Sequence, residues 1–226
     1  MKKTIGIFGL CLVLLVAASA CGDKDNTSET NLEMGVAGAA ALTDTYIENC
    51  VNTLEILAIT DEVRSGDWET MLPILTKADD VMEPGPKWFG LPDGSYYVVG
   101  MGKTDKNIAD RAYFPVVMSG SNTYSELVVS RSTGEKVLVV AVPITKDGKV
   151  IGALGVSIFL EDLSNIITEQ LKLPDDTVFY AVTAENQVAL HTDTEMILEE
   201  NPAPPENSVS QTAPFTGWRI TLGYNN

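Results

Sequence analysis

Two stretches in the first half of the chain carry the side chains best able to do chemistry. Gly100-Met-Gly-Lys-Thr-Asp-Lys106 contains the Gly-Lys-Thr that ends a nucleotide-binding P-loop, and Asp110-Arg111-Ala112-Tyr113-Phe114 follows shortly after it. A phosphate cradle needs a glycine five positions before the Gly-Lys-Thr glycine, because its backbone amides must curl around the anion with no Cβ in the way. Tyr97 holds that position, and Asp105, Lys106, Asn107 and Asp110 lack the apolar periodicity of a helix that would lend its dipole to a phosphate. The first stretch therefore reads as a strand end entering a polar loop that delivers the second. There, Arg111 offers a planar fork of donors matching a carboxylate, and Tyr113 and Phe114 supply walls that lower the local dielectric. This chemistry suits an anionic or polar organic ligand. The plainer alternative pairs Arg111 with Asp110 and leaves both rings as core.

Other chemistries find no support in the residues. There is no Gly-x-Ser-x-Gly elbow and no Cys and His pair placed for nucleophilic attack. Three cysteines and one histidine, His191, cannot assemble a metal cluster, so neither a metal nor a cofactor is expected. Adjacent carboxylates such as Asp79 and Asp80, or Glu199 and Glu200, read as solvated rather than as a catalytic pair across a cleft. The chain is not expected to be an enzyme.

The N-terminus sets where the site would work. Lys2 and Lys3 precede an apolar run from Ile5 to Ala18, shorter than the ~20 residues needed to cross a bilayer and typical of a signal-peptide core. It ends in Ala18-Ser19-Ala20-Cys21, small residues before a cysteine, as in a bacterial lipoprotein signal over residues 1–20 with lipid on Cys21. Cleavage after Ala20 with ordinary secretion is the alternative. Residues 21–30 are polar and read as a flexible tether. Loss of Lys2 and Lys3 from the 15 basic residues leaves 13 against 31 acidic, a net charge of −18. Nucleic acid would be repelled. Cys50, beside Tyr46, Leu54 and Leu57 on the apolar side of a helix, is expected to be a buried thiol.

The elements that must position Arg111 follow from pattern. From Asn31 to about Arg64, Leu32, Val36, Tyr46, Cys50, Leu54 and Leu57 recur at helical spacing and predict one long amphipathic helix. Asp67 caps a second helix, which Glu-Pro-Gly-Pro at 83–86 closes. Strands at 88–91 and 96–101 flank the turn Pro92-Asp93-Gly94-Ser95, and strands at 127–131, 136–144 and 149–159 form an antiparallel meander leading to a helix at 160–171. The fold class is α+β.

The order of these elements, with Asp93-Gly94, Asp110-Arg111-Ala112-Tyr113-Phe114, Ser130 to Gly134, Ala141-Val142-Pro143-Ile144, Asp147-Gly148 and Gly152 to Leu160, resembles the extracytoplasmic Cache family of PAS-like sensing domains. The resemblance covers residues 31–175 and implies a long N-terminal helix packed on an antiparallel PAS-like sheet. Residues 176–226 echo the second module of double-Cache proteins in reduced form, with His191 at a structural position. The resemblance also implies that Arg111, Tyr113 and Phe114 hold ligand. Family members that bind amino acids add a tyrosine five residues before the arginine and an aspartate on the last strand for the ligand's ammonium. Lys106 and Ser157 stand at those positions here. Without the aspartate a buried ammonium has no counter-ion, so a carboxylate or neutral polar metabolite is expected, with Lys106 a candidate second cation. Trp88 either lines the pocket or packs in the core.

The resulting expectation is a lipid-anchored binding or sensor protein, extracytoplasmic, that passes its signal to a separate membrane receptor or kinase; the alternative is a ligand-free interaction module of the cell envelope. Lipidation is directly testable. The Cys21→Ala chain is expected to lose incorporation of labelled palmitate and to leave the membrane fraction, and membrane retention of that variant would contradict the anchor.

Overall fold

The structure is a computed structural model that describes residues 24–82, 85–174, 176–200 and 203–224. The expected signal peptide and Cys21 lie outside the described residues. Helix α1 runs from Lys24 to Ala58, so the segment from Lys24 expected as tether is helical. No glycine or proline stands between Asp23 and Met34, and a helix already nucleated by its amphipathic part extends cheaply through such a stretch. At the other end the helix stops at Ala58, and Asp61–Arg64 forms a separate turn, α2, capped by Thr60. Helix α3, Trp68–Val81, starts as expected at Asp67, whose Oδ2 accepts from Thr70 N at 2.9 Å.

The large sheet holds β1 (Lys87–Gly90), β2 (Ser95–Val98), β3 (Gly102–Asn107), β4 (Thr123–Val129), β5 (Lys136–Lys146) and β6 (Lys149–Phe159). Its order is β3-β2-β1-β6-β5-β4, antiparallel throughout. β3 is a correction to the loop expected around Lys106. It is an edge strand whose Lys103, Asp105 and Lys106 face solvent, so it lacks the apolar alternation that marks a strand in sequence. Between β3 and β4 lies a short helix, α4 (Tyr113–Met118), again where only a loop was expected.

Along β5 and β6 every second side chain faces the helices. Leu138, Val140, Val142 and Ile144, with Leu154, Val156 and Ile158, join the core beneath α1, α2 and α3. Val137, Val139, Ala141 and Ala153 face the other way and pack with Trp88, Tyr96, Tyr113, Phe114 and Val117 in a second apolar layer. Helix α5 (Leu160–Leu171) then leads to β7 (Thr177–Val182), β8 (Val188–His191), β9 (Ser208–Thr212) and β10 (Arg219–Tyr224), a second sheet ordered β8-β7-β10-β9. β9 escaped the sequence because Ser208, Ser210, Gln211 and Thr212 are polar.

Helix α1 packs against both sheets. Its buried Asp44 is the polar fastening: the carboxylate accepts from Phe215 N at 2.8 Å, Thr216 N at 3.0 Å and Thr216 Oγ1 at 2.8 Å, at the turn before β10. Cys50, on the same helix, is buried, and burial pushes its thiol up to about 11. Asp44→Ala leaves two part-buried amides and a hydroxyl without their acceptor. It is expected to cost about 3 kcal/mol and to lower the thermal midpoint by about 6–12 °C, measured by calorimetry; an unchanged midpoint would refute the fastening.

Candidate functional site

The face of the large sheet turned away from α1 carries a narrow cleft. It holds about 420 Å³ of space between atoms, of which about 30 Å³ can take the centre of a water molecule. Its floor is set by the strand register. Trp88 on β1 is paired with Gly155 on β6, and Val139 on β5 with Ser157 on β6. A Cβ on Gly155 would stand 2.2 Å from Trp88 Cζ2, so the indole lies on bare backbone and only glycine fits under it. The Trp88 and Tyr113 rings meet at 6.1 Å between centroids, tilted by 47°, and Tyr96 completes the aromatic wall.

Two loops build the polar side. The first, between β3 and α4, is shaped by its own backbone: Ile108 N donates to Gly94 O at 2.8 Å, and Arg111 N to Ile108 O at 3.0 Å. The start of α4 has no side-chain cap of its own, and Tyr113 N instead donates to Glu126 Oε2 of β4 at 2.7 Å. This fixes Arg111 and Tyr113 at the cleft. Arg111 is half-buried, and its Nη2 donates to Val129 O at 2.8 Å. Among the described residues no carboxylate pairs with it. The second loop, between β4 and β5, contributes Ser130, Arg131 and Ser132. Burial raises the Tyr113 phenol well above the ordinary tyrosine value, so it stays protonated and can donate.

Of the residues the sequence pointed to, Arg111, Tyr113, Ser157 and Trp88 come together on the cleft lining. Phe114 is buried in the same apolar layer but lies behind the lining. Lys106 is exposed on β3 and 3.3 Å from Asp105 Oδ2, away from the cleft. Strand β3 explains it: at this sheet edge the pairing with β2 shifts register, and the adjacent Asp105 and Lys106 are both exposed. Arg131 is the residue that sequence reasoning passed over, although it lies within the Ser130–Gly134 stretch. Asp110 pairs with Arg131, at 2.6 and 2.8 Å, and not with its neighbour Arg111. That hydrogen bond holds the Asp110 carboxyl below the usual carboxylate range. His191 sits far from the cleft lining, buried in the second sheet, with Nδ1 accepting from Asp193 N at 2.8 Å.

No protein-family model matches the sequence, and no curated protein does. Solved structures with this architecture do. The sensory domain of the Campylobacter jejuni chemoreceptor Tlp3, with isoleucine bound, superposes with a TM-score of 0.65 at 16% identity, over 88% of this chain and 93% of that one. The ligand-binding domain of the Pseudomonas fluorescens chemoreceptor CtaA, in complex with L-serine, gives 0.70 at 15% identity, over 88% and 98%. That of the Pseudomonas aeruginosa chemoreceptor PctC, in complex with GABA, gives 0.64 at 16% identity, over 89% and 100%. The chain shares the Cache-type fold of these domains. Both layers of that fold are present: the cleft-bearing Cache sheet and the second sheet module under it. No helix among the described residues is long and apolar enough to cross a membrane.

The dependence of the cleft on Gly155 is testable. Gly155→Ala is expected to push the indole off its floor and to cost about 1–3 kcal/mol in urea unfolding, with the far-UV spectrum retained. Unchanged stability would mean that the ring does not rest on this glycine.

Proposed function

We propose that this protein is an extracytoplasmic sensing or accessory protein, held to a bacterial membrane by lipid on Cys21, whose cleft takes a small organic anion. Residues 31–175 form the ligand-binding module and 176–226 the reduced second lobe, and a separate membrane receptor or kinase receives the signal. The observation that carries this reading is Arg111: a half-buried guanidinium on the cleft lining, with a backbone carbonyl as its partner and no acidic side chain lining the cleft. In an aromatic-walled space such a group favours a carboxylate. Isoleucine, L-serine and GABA, bound by the structural neighbours, share a carboxylate, while the ammonium stands on the α-carbon in the first two and on the γ-carbon in GABA; the shared group supports the same assignment. Ser157 lines this cleft and brings no charge for an ammonium, so the reading favours a ligand without one. One observation favours a second reading. The cleft leaves room for little more than water, as in a ligand-free interaction module.

Thermal unfolding of the full chain in detergent, against carboxylates, amino acids, amines, sugars and purines, separates the two. A ligand at 100 times its Kd stabilises by ~2.7 kcal/mol, a midpoint rise of roughly 5–10 °C. Carboxylates are expected to give that rise and Arg111→Ala to lose it while keeping its fold. A chain that responds to none of the panel would support the interaction module, and turnover of any member would point to an enzyme.

A further inference from the structure

The cleft holds a second guanidinium, and its partner is loosely kept. Arg131, on the turn between β4 and β5, donates Nη1 to Asp110 Oδ1 at 2.6 Å and Nη2 to Oδ2 at 2.8 Å, and Nη1 also donates to Asn107 O. These contacts strap the β4–β5 turn to the loop before α4. Arg131 lines the cleft whereas Asp110 does not, and the Asp110 side chain is 68% exposed. An ion pair so open to water has little net worth, because both groups are almost as well solvated apart. The same guanidinium facing a carboxylate inside the cleft would gain more, since aromatic and aliphatic walls exclude the competing water there. Arg111 and Arg131 thus both line one space, with Ser130, Ser132 and Ser157 as neutral polar groups on the same lining and no acidic side chain there.

We infer that the ligand carries two carboxylates, one held by Arg111 and the other taking Arg131 from Asp110. This rests on the anion-binding reading above and narrows it to dicarboxylates. Each fork matches one planar carboxylate, and the two guanidinia stand on different loops. Binding exchanges one ion pair for another: Asp110 turns to water and the strap between the loops is released. No charge is left buried without a partner, which is the condition for a second anionic group to enter.

Isothermal titration of the full chain in detergent at pH 7.5 tests this. Malonate, succinate and glutarate are compared with acetate, propionate and butyrate, with inorganic phosphate as a further arm. The best dicarboxylate is expected to bind at least about tenfold tighter than the best monocarboxylate, the scale of one added charge-assisted bidentate contact. Arg131→Gln is expected to bring that ratio to about one, because the second fork is gone. Asp110→Asn is expected to raise dicarboxylate affinity by about threefold or more by removing the competitor, a gain that misfolding cannot produce. Equal affinity for the two series, a ratio untouched by Arg131→Gln, or phosphate binding tighter than every dicarboxylate would each overturn the inference while leaving Arg111 as an anion site. If the wild type binds none of these anions, the proposed function falls and the inference falls with it.

Discussion

A sheet buried on both faces is the constraint from which the rest follows. β5 and β6 carry apolar side chains at successive positions, so alternation sends one set under the helices and the other set to the opposite side. The opposite set cannot be left in water, and α4 with the aromatic residues of β1 and β2 covers it. The cover is incomplete near Ser157, where β6 offers only a small side chain, beside the place where Trp88 lies on Gly155. The cleft is the space left over, and its position is thus set by where β6 is small.

That logic decides what was legible in the sequence. Helical periodicity located α1, the Asp67 cap and the Glu-Pro-Gly-Pro stop located α3, and apolar runs between turns located β5 and β6 with α5 following them. Trp88 and Ser157 reach the cleft from β1 and β6, strands read from the sequence, whereas Arg111 and Tyr113 were singled out by residue type and lie on the lining although the helix that Tyr113 opens was not read. β3, β9 and α4 were not legible: the first two are polar edges held by backbone pairing, and Tyr113–Met118 is too short to show a helical repeat. Missing β3 led directly to the misplacement of Lys106. Arg131 went unread for a different reason. Its partner Asp110 is 21 positions away in sequence and adjacent to Arg111, so a reading by proximity assigns the carboxylate to the wrong arginine.

Electrostatics separate the cleft from the rest of the surface. The chain as a whole carries a net charge of −16, yet the cleft lining holds two arginines and no acid. An acidic surface slows the approach of an anion at low ionic strength, while screening over about 8 Å in physiological salt confines that effect to the outer encounter. Affinity is then set by the few groups that line the cleft.

The two walls of the cleft differ in how firmly they are held. On one side, Pro86 O accepts from Ser157 N, and only glycine fits at Gly85, where φ is +131° and a Cβ would stand 1.8 Å from Ser157 O. The next residue, Lys87, is fully buried, with Nζ 3.2 Å from Asp79 Oδ1 and donating to Met82 O and Gly85 O. Breaking such a buried pair strands a charge, so this wall is tied to α3 and the helical layer. On the other side, the β4–β5 turn meets the loop before α4 through an exposed ion pair. The Pro86 side is therefore the more firmly tied wall and the Arg131 side the more weakly tied one. Helix α1 belongs with the firmly tied side as well, through the shared core with α3 and β5. It extends to the second sheet, where Asp44 grips the turn before β10. β5 joins the two regions physically, since it carries the β4–β5 turn at one end and packs on α1 along its length.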